Sequence, residues 1–188
     1  MLLSILIPTL PKRSLMLIGL ISKIVSQFKH LDECLIEIIK DESQYPCTTG
    51  TKRNLLIEKA KGTYIVFIDD DDDISKEYIE EILHACFKNP DVITFNGWMT
   101  TDGKDSVDFE IRLNHPYIND PRDGKDYYLR FPNHLCPMKK ELVKDFKFPD
   151  ITMGEDYAWA KQIHDSGVLK TEFVIDKKMY HYKYSTKK

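Results

Sequence analysis

The sequence predicts an α/β fold built on a central, mainly parallel sheet, and three observations carry that prediction. Apolar, strand-like runs alternate with segments of helical period through the first half of the chain, the order that yields a sheet flanked by helices. One of those runs, TYIVFIDDDDD at residues 63–73, passes from a stretch apolar on both faces straight into five aspartates, Asp69 to Asp73. That is the pattern of a buried parallel strand whose carboxyl end opens on a site. After the turn-forming Thr101-Asp102-Gly103 the pattern changes to alternation over residues 107–113, so the second half is predicted to be antiparallel or mixed.

In chain order, residues 2–7 form the first strand, and Ser14 is placed to cap a helix running through about His30. Residues 35–39 make a second strand, ending at Asp41. Residues 52–61 have helical period and are closed by Gly62, after which comes the strand ending at Asp69. Ser75 is read as the cap of a helix over 76–88 that stops at Asn89-Pro90. Residues 92–95 form the next strand, and the hairpin follows. Residues 114–133, which carry Pro116, Pro121 and Pro132 and little apolar periodicity, read as a long loop, and long loops in compact domains are commonly functional. Residues 155–166 make a last helix with Gly167 at its end, and 169–175 and 179–184 are two closing strands.

The 188 residues, 42% hydrophobic and 30% charged, suit a single domain over 1–188, read as two halves, 1–100 and 101–188. A net charge of −3 gives no general attraction to nucleic acid. The opening MLLSILIPTL lacks a basic leader and is interrupted by Pro8, so it reads as a strand and not as a signal peptide. No apolar stretch approaches the roughly 20 residues of a membrane span. Cys34, Cys47, Cys86 and Cys136 are widely spaced with no C-x-x-C pair, which suggests neither zinc nor a disulfide framework and makes the cytoplasm the expected location.

Five adjacent carboxylates repel one another unless a cation or hydrogen-bond donors balance them, and clustered oxygen ligands suit a hard divalent ion. The alternative is a solvated acidic surface, but here the charge begins where an apolar strand ends.

With the acidic run placed, the chain resembles inverting family 2 glycosyltransferases of the GT-A fold. SILIPTLPKR is similar to that family's first strand and nucleotide-binding turn, IEIIKDES to its second strand, TGTKRNLLIEKAKGTYIVFIDDDD to the stretch in which Gly-x-x-Arg-Asn opens a helix before the DXD strand, and MGEDYAWA to the segment with the catalytic base. The resemblance implies that Pro8, Thr9 and Arg13 lie near the donor base and phosphates, that Asp41 accepts a hydrogen bond from the base, and that Arg53 faces the donor. It further implies Asp69, with Asp70 beside it, near the ribose, and Asp69 and Asp71 as the two aspartates of DXD, Asp71 on Mn²⁺ or Mg²⁺. Asp156, paired with Glu155, becomes the base, and His181 is similar in position to a late histidine of the metal shell. His134 or Asn133 would touch sugar, whereas Trp98 and Trp159 read as core.

Each residue also has a plain structural reading: Pro8-Thr9 as a turn, Arg53 as a helix-surface cation, Asp156 as a helix-start carboxylate, His181 as a histidine packed among tyrosines. If Arg53 instead pairs with donor oxygens, its loss is expected to weaken donor binding and leave the melting temperature nearly unchanged. The implied chemistry is metal-dependent transfer of one sugar, with inversion, from a nucleotide sugar to a hydroxyl. UDP or another pyrimidine nucleotide is the expected carrier, and the acceptor is a glycan, a lipid-linked sugar, a protein or a modified nucleobase. The Q-x-x-R-W motif of processive synthases is absent from the sequence. Two alternatives remain: a haloacid-dehalogenase-like phosphotransferase, which also places D-x-D after a buried strand but on its first strand, and a non-catalytic metal- or glycan-binding module. A nucleotidyltransferase would need a glycine-rich loop that PTLPKRS lacks.

Overall fold

A computed structural model of the chain describes residues 1–28, 33–44 and 46–186. Strand β1 (Leu3–Pro8), buried at all six positions, lies between β2 (Ile36–Asp41) and β3 (Tyr64–Phe67) and runs parallel to both, with Ile5 opposite Ile38 on one side and Val66 on the other. Two helices make the crossovers, α1 (Ser14–Ser26) and α2 (Thr49–Lys59). Parallel strands need such crossovers, and these bring the ends of β1, β2 and β3 to one edge of the sheet.

The second half attaches through a very short strand. After β4 (Asp73–Ile74) and α3 (Tyr78–Cys86) come β5 (Val92–Thr101) and β6 (Lys104–Ile111), then β7 (Ile118–Asn119), β8 (Tyr127–Arg130), β9 (Met138–Lys139) and the one-turn α4 (Lys140–Val143). The chain closes with α5 (Glu155–Ser166) and β10 (Glu172–Tyr184). In β9, Met138 pairs with Ile65 of β3 and with Val92 of β5, so one fully buried residue joins the two halves into a sheet of ten strands among the described residues. On its other side β5 runs parallel to β10, which pairs antiparallel with β4, while β6, β8 and β7 extend the sheet.

The hairpin is built as expected, with positive φ at Asp102 (49°) and Gly103 (76°) between paired Thr101 and Lys104. Several boundaries differ, each for a local reason. Ser14 is the first helical residue of α1 and caps nothing; the N-cap is Arg13, after a 3₁₀ turn at Pro11–Arg13. The expected end at His30 lies outside the described residues. Helix α2 starts early because the Thr48 side chain accepts from Thr51 N at 3.1 Å. It ends at Ala60, and Gly62 instead donates its N–H to Ser4 Oγ at 2.8 Å. Ser75 is no cap either, since its N–H pairs with Met179 O and Gln27 Oε1 takes up the N–H of Ile79 at the start of α3. The long loop contains β7 and β8. The two closing strands are one, with register shifts between Ile175 and Tyr180 where the sequence pattern breaks.

Beneath the site lies an aromatic floor: Phe148 and Trp159 stack at 4.5 Å and 8°, and Phe67 meets Phe148 edge-on at 5.5 Å. Trp159 is core, as the sequence suggested, and its Nε1 donates to Phe146 O at 3.1 Å. Gly50, in the first turn of α2, sits against the segment that leads into α5. Its N–H donates to Ile151 O at 3.0 Å, and a Cβ there would stand 1.9 Å from Pro149 O. The obstacle is backbone and cannot rotate away. Gly50→Ala is therefore expected to destabilise the fold by about 1–3 kcal/mol; an unchanged urea midpoint would show that α2 and this segment separate freely.

Candidate active site

The carboxyl ends of β1, β2 and β3 and the N-terminal ends of α2 and α5 converge, and charge dictates how their side chains pair. Arg53 is 3% exposed, and a buried guanidinium requires anionic partners. Its Nη2 donates to Asp69 Oδ1 and Oδ2 at 2.9 and 3.1 Å, its Nε to Glu155 Oε1 at 3.3 Å. Its plane lies over Phe67 at 5.0 Å and Phe148 at 5.7 Å, while Nη1 is buried without a hydrogen-bond partner. Burial alone would raise the pKa of Asp69, but the charge of Arg53 first, and the nearby His134 ring next, hold that carboxyl well below the usual range. For Glu155 burial prevails over Arg53 and the pKa rises. Arg53 is thus the hub of the site and not the helix-surface cation of the plain sequence reading.

The remaining aspartates have separate partners. Asp70 is wholly enclosed: Thr9 Oγ1 donates to its Oδ2, and Arg13 Nη1 to its Oδ1 at 2.8 Å. Asp71 lies at the rim, 20% exposed, with Arg13 Nη1 at 3.1 Å. Asp72 points inward, accepting from Tyr180 OH and from Lys183 N, both at 2.7 Å. Burial first, and the neighbouring Asp69 next, push its pKa well above the ordinary carboxylate value. Asp73 is tied to Lys23 Nζ and accepts from Ile74 N at 2.9 Å.

On the β1–β2 side, Thr9 N donates to Asp41 O at 2.9 Å beside the buried Pro8. Asp41 is 5% exposed and accepts from Ser43 N at 2.9 Å. Lys52, unremarked in the sequence, is 4% exposed and donates to Thr9 O at 2.7 Å. Burial lowers its pKa, as expected of a lysine shielded from water. Its only prior signal was its place in GTKRN. Tyr180 was likewise missed, although period 2 in MYHYKY sets it on one face with Tyr182.

Helix α5 supplies the opposite wall. Gly154 takes φ 80° at its N-cap, a conformation that turns the chain so that Glu155 faces Arg53 and leaves Asp156 38% exposed. His134, 7% exposed, stands between the walls: Nε2 is 3.8 Å from Asp69 Oδ2, Nδ1 is 3.7 Å from Asp156 Oδ2, and Nδ1 has no hydrogen-bond partner. Nearby Asn133 turns inward, its Oδ1 accepting from Leu135 N at 3.0 Å. His181 is not gathered into this group. It stacks on half-buried Trp98 at 4.6 Å and 17°, and its Nε2 is 2.9 Å from Thr100 Oγ1. Among the described residues no set of three or more His, Cys, Asp or Glu is arranged as a cage for a metal ion.

The sequence profile described as Glycosyl transferase family 2 matches residues 21–147, which include Asp41, Arg53 and the acidic run. The chain belongs to glycosyl transferase family 2. That match sets aside the phosphotransferase alternative, and it stops short of Glu155 and Asp156. No curated protein matches the sequence. Among solved structures the family 2 chain is similar to S. aureus TarS 1-349 in complex with UDP, with a TM-score of 0.69 and 16% identity over 98% of this chain and 61% of that one. It is also similar to TarS 1-349 in complex with UDP-GlcNAc (TM-score 0.61, 16% identity, 97% and 58%) and to S. aureus TarS (0.67, 14%, 97% and 37%). At these identities the likeness is one of fold, a GT-A glycosyltransferase fold, and the chain spans less than two thirds of the length of each. No helix of the described residues is long and apolar enough to cross a membrane.

Removing Arg53 leaves the buried Glu155 and the partly exposed Asp69 without their shared counter-charge, so the expectation of an unchanged melting temperature gives way to a loss of stability. Arg53→Ala is expected to cost about 3–5 kcal/mol of stability, the range for breaking a buried ion pair. Chemical denaturation checks this, and a loss below about 1 kcal/mol would return Arg53 to the role of a surface cation.

Proposed function

We propose that this family 2 chain is a metal-dependent, inverting glycosyltransferase that moves one sugar from a UDP-type nucleotide sugar to a hydroxyl acceptor. The observation that carries the reading is the position of His134, within 3.8 Å of Asp69 and 3.7 Å of Asp156, so that the end of β3 and the start of α5 border one site. UDP and UDP-GlcNAc occur in the TarS complexes of the same fold, which favours a uridine diphosphate carrier.

In this reading Pro8, Thr9 and Asp41 receive the nucleoside, with Asp69 toward the ribose, while the enclosed Asp70, expected beside it, holds Thr9 and Arg13 in place. Arg13 and the buried Lys52 supply positive charge near the phosphates. The donor set fits a hard divalent ion: Asp71 offers carboxylate oxygens at the rim, and Mg²⁺ or Mn²⁺ is commonly held by one or two carboxylates plus substrate phosphates, which needs no protein cage. Asp71, assisted by Asp69, would hold it, and the ion would supply positive charge to the departing diphosphate. His181, engaged with Trp98 and Thr100, would have to leave both to join. Asp156, the exposed carboxylate, takes the proton of the acceptor hydroxyl as that oxygen bonds to the anomeric carbon. The bond to the diphosphate oxygen breaks with its electron pair staying on UDP, and the single displacement inverts the anomeric configuration. Glu155, held by Arg53, positions the start of α5.

Asp156→Asn is expected to bind a UDP-sugar and Mn²⁺ within a few-fold of wild type while transfer falls by about 10² to 10⁴, the range for a general base. Near-normal transfer by this variant would move the role to Glu155. By calorimetry, Asp71→Asn should lose more Mn²⁺-dependent UDP affinity than Asp73→Asn, whose carboxylate is already tied to Lys23. Equal affinity of the wild type in chelator would remove the metal from the mechanism.

A further inference from the structure

Two partly exposed aromatic rings held in contact beside a carboxylate offer an apolar face with polar tips to a ligand. Tyr117, just before β7, and Tyr157, the residue after Asp156, are 36% and 42% exposed, and their rings meet 4.8 Å apart at 67°. The corner is supported from below. Phe131, 5% exposed, lies 5.1 Å from Tyr117 and 6.3 Å from Tyr157 and is stacked on His164 at 4.3 Å and 13°. From the side, the Arg130 guanidinium sits 4.2 Å from the Tyr117 ring centre and is anchored by donating to Ile118 O and to Leu129 O at 2.8 Å. Tyr157, in contact with Tyr117, directly follows Asp156 in the first turn of α5, which places the two-ring corner beside that carboxylate.

We propose that Tyr117 and Tyr157 form the acceptor subsite, a two-ring platform that takes the C–H face of a pyranose ring and presents one of its hydroxyls to Asp156. A sugar suits this corner because it is amphipathic in the same way as the site: C–H groups pack on the rings, and hydroxyls meet the phenol oxygens and the carboxylate. The support from Phe131 and Arg130 fixes the rings before binding, which lowers the entropy lost on association. The proposal rests on the assignment of Asp156 as base, and it takes the acceptor to be a glycan or a glycoside and not a bare protein side chain.

The test uses the full chain with methyl β-D-glucopyranoside, methyl α-D-mannopyranoside and methyl N-acetyl-β-D-glucosaminide as probes, read by saturation-transfer NMR with and without UDP and Mn²⁺. At least one glycoside should receive saturation chiefly on its C–H face. In Tyr157→Ala that signal should fall at least five-fold, whereas Tyr157→Phe, which keeps the ring, should stay within about two-fold. UDP affinity by calorimetry should be the same in all three proteins. Absence of saturation on every glycoside in a wild type that binds UDP, or an equal signal in Tyr157→Ala, overturns the platform. So does saturation of adenosine or phenol alone, which would make the corner a site for flat aromatic ligands. A wild type that binds a glycoside through Tyr157 but no UDP would instead overturn the donor reading and leave the platform standing.

Discussion

The site depends on one buried guanidinium. Arg53 has come out of water, and that is tolerable only because carboxylates from two other elements converge on it, Asp69 from the end of β3 and Glu155 from the start of α5. The ion pairs therefore fix the positions of α2, β3 and α5 relative to one another. The aromatic floor of Phe67 and Phe148 under the guanidinium adds cation–π contact and keeps water from entering beneath it. Loosening this triad would displace Asp156 together with Glu155, because the two are consecutive on the first turn of α5. Gly50 serves the same alignment by letting the backbone of α2 touch the segment that enters α5.

Once the triad is set, the acidic run is no longer a uniform block of charge. Successive side chains leave the strand end in different directions and meet different partners: Arg53 for Asp69, Thr9 and Arg13 for Asp70, Tyr180 and a backbone N–H for Asp72, Lys23 for Asp73. Mutual repulsion is relieved residue by residue, in one direction by a depressed pKa at Asp69 and in the other by a raised one at Asp72. Asp71 is left as the member that faces the rim, shared with Arg13. This is how a five-carboxylate run persists at the end of a buried strand.

The two halves meet through very little strand. Met138 alone bridges β3 and β5, while β10 ties β5 to β4, so the second half is anchored to the acidic run at both ends of that pairing. Tyr180 makes the link chemical as well as mechanical, donating to Asp72 while its oxygen accepts from Asp69 N at 3.2 Å. The loop at 114–133, with its short strands β7 and β8, carries Tyr117, Arg130 and Phe131 against α5, where the sequence suggested only a functional loop.

What the sequence determined by itself was whatever local pattern controls. Unbroken apolar runs specified β1 and β3, Asp102-Gly103 the hairpin, and the spacing from Glu155 to Gly167 both ends of α5, because periodicity and turn conformation act over a few residues. The order of motifs likewise pointed to the family that the profile match shows. Tertiary structure alone decided the rest. Ser14 and Ser75 look like caps but are not, since Gln27 satisfies the start of α3 from a distant element. Residues 138–139 are too short to show a period, yet they join the sheet. Whether Arg53 faces water or carboxylates, and which aspartate is enclosed, depend on partners such as Tyr180, 108 residues from Asp72. Burial and charge pairing are properties of chain segments brought together by folding, and no window of sequence contains both members of such a pair.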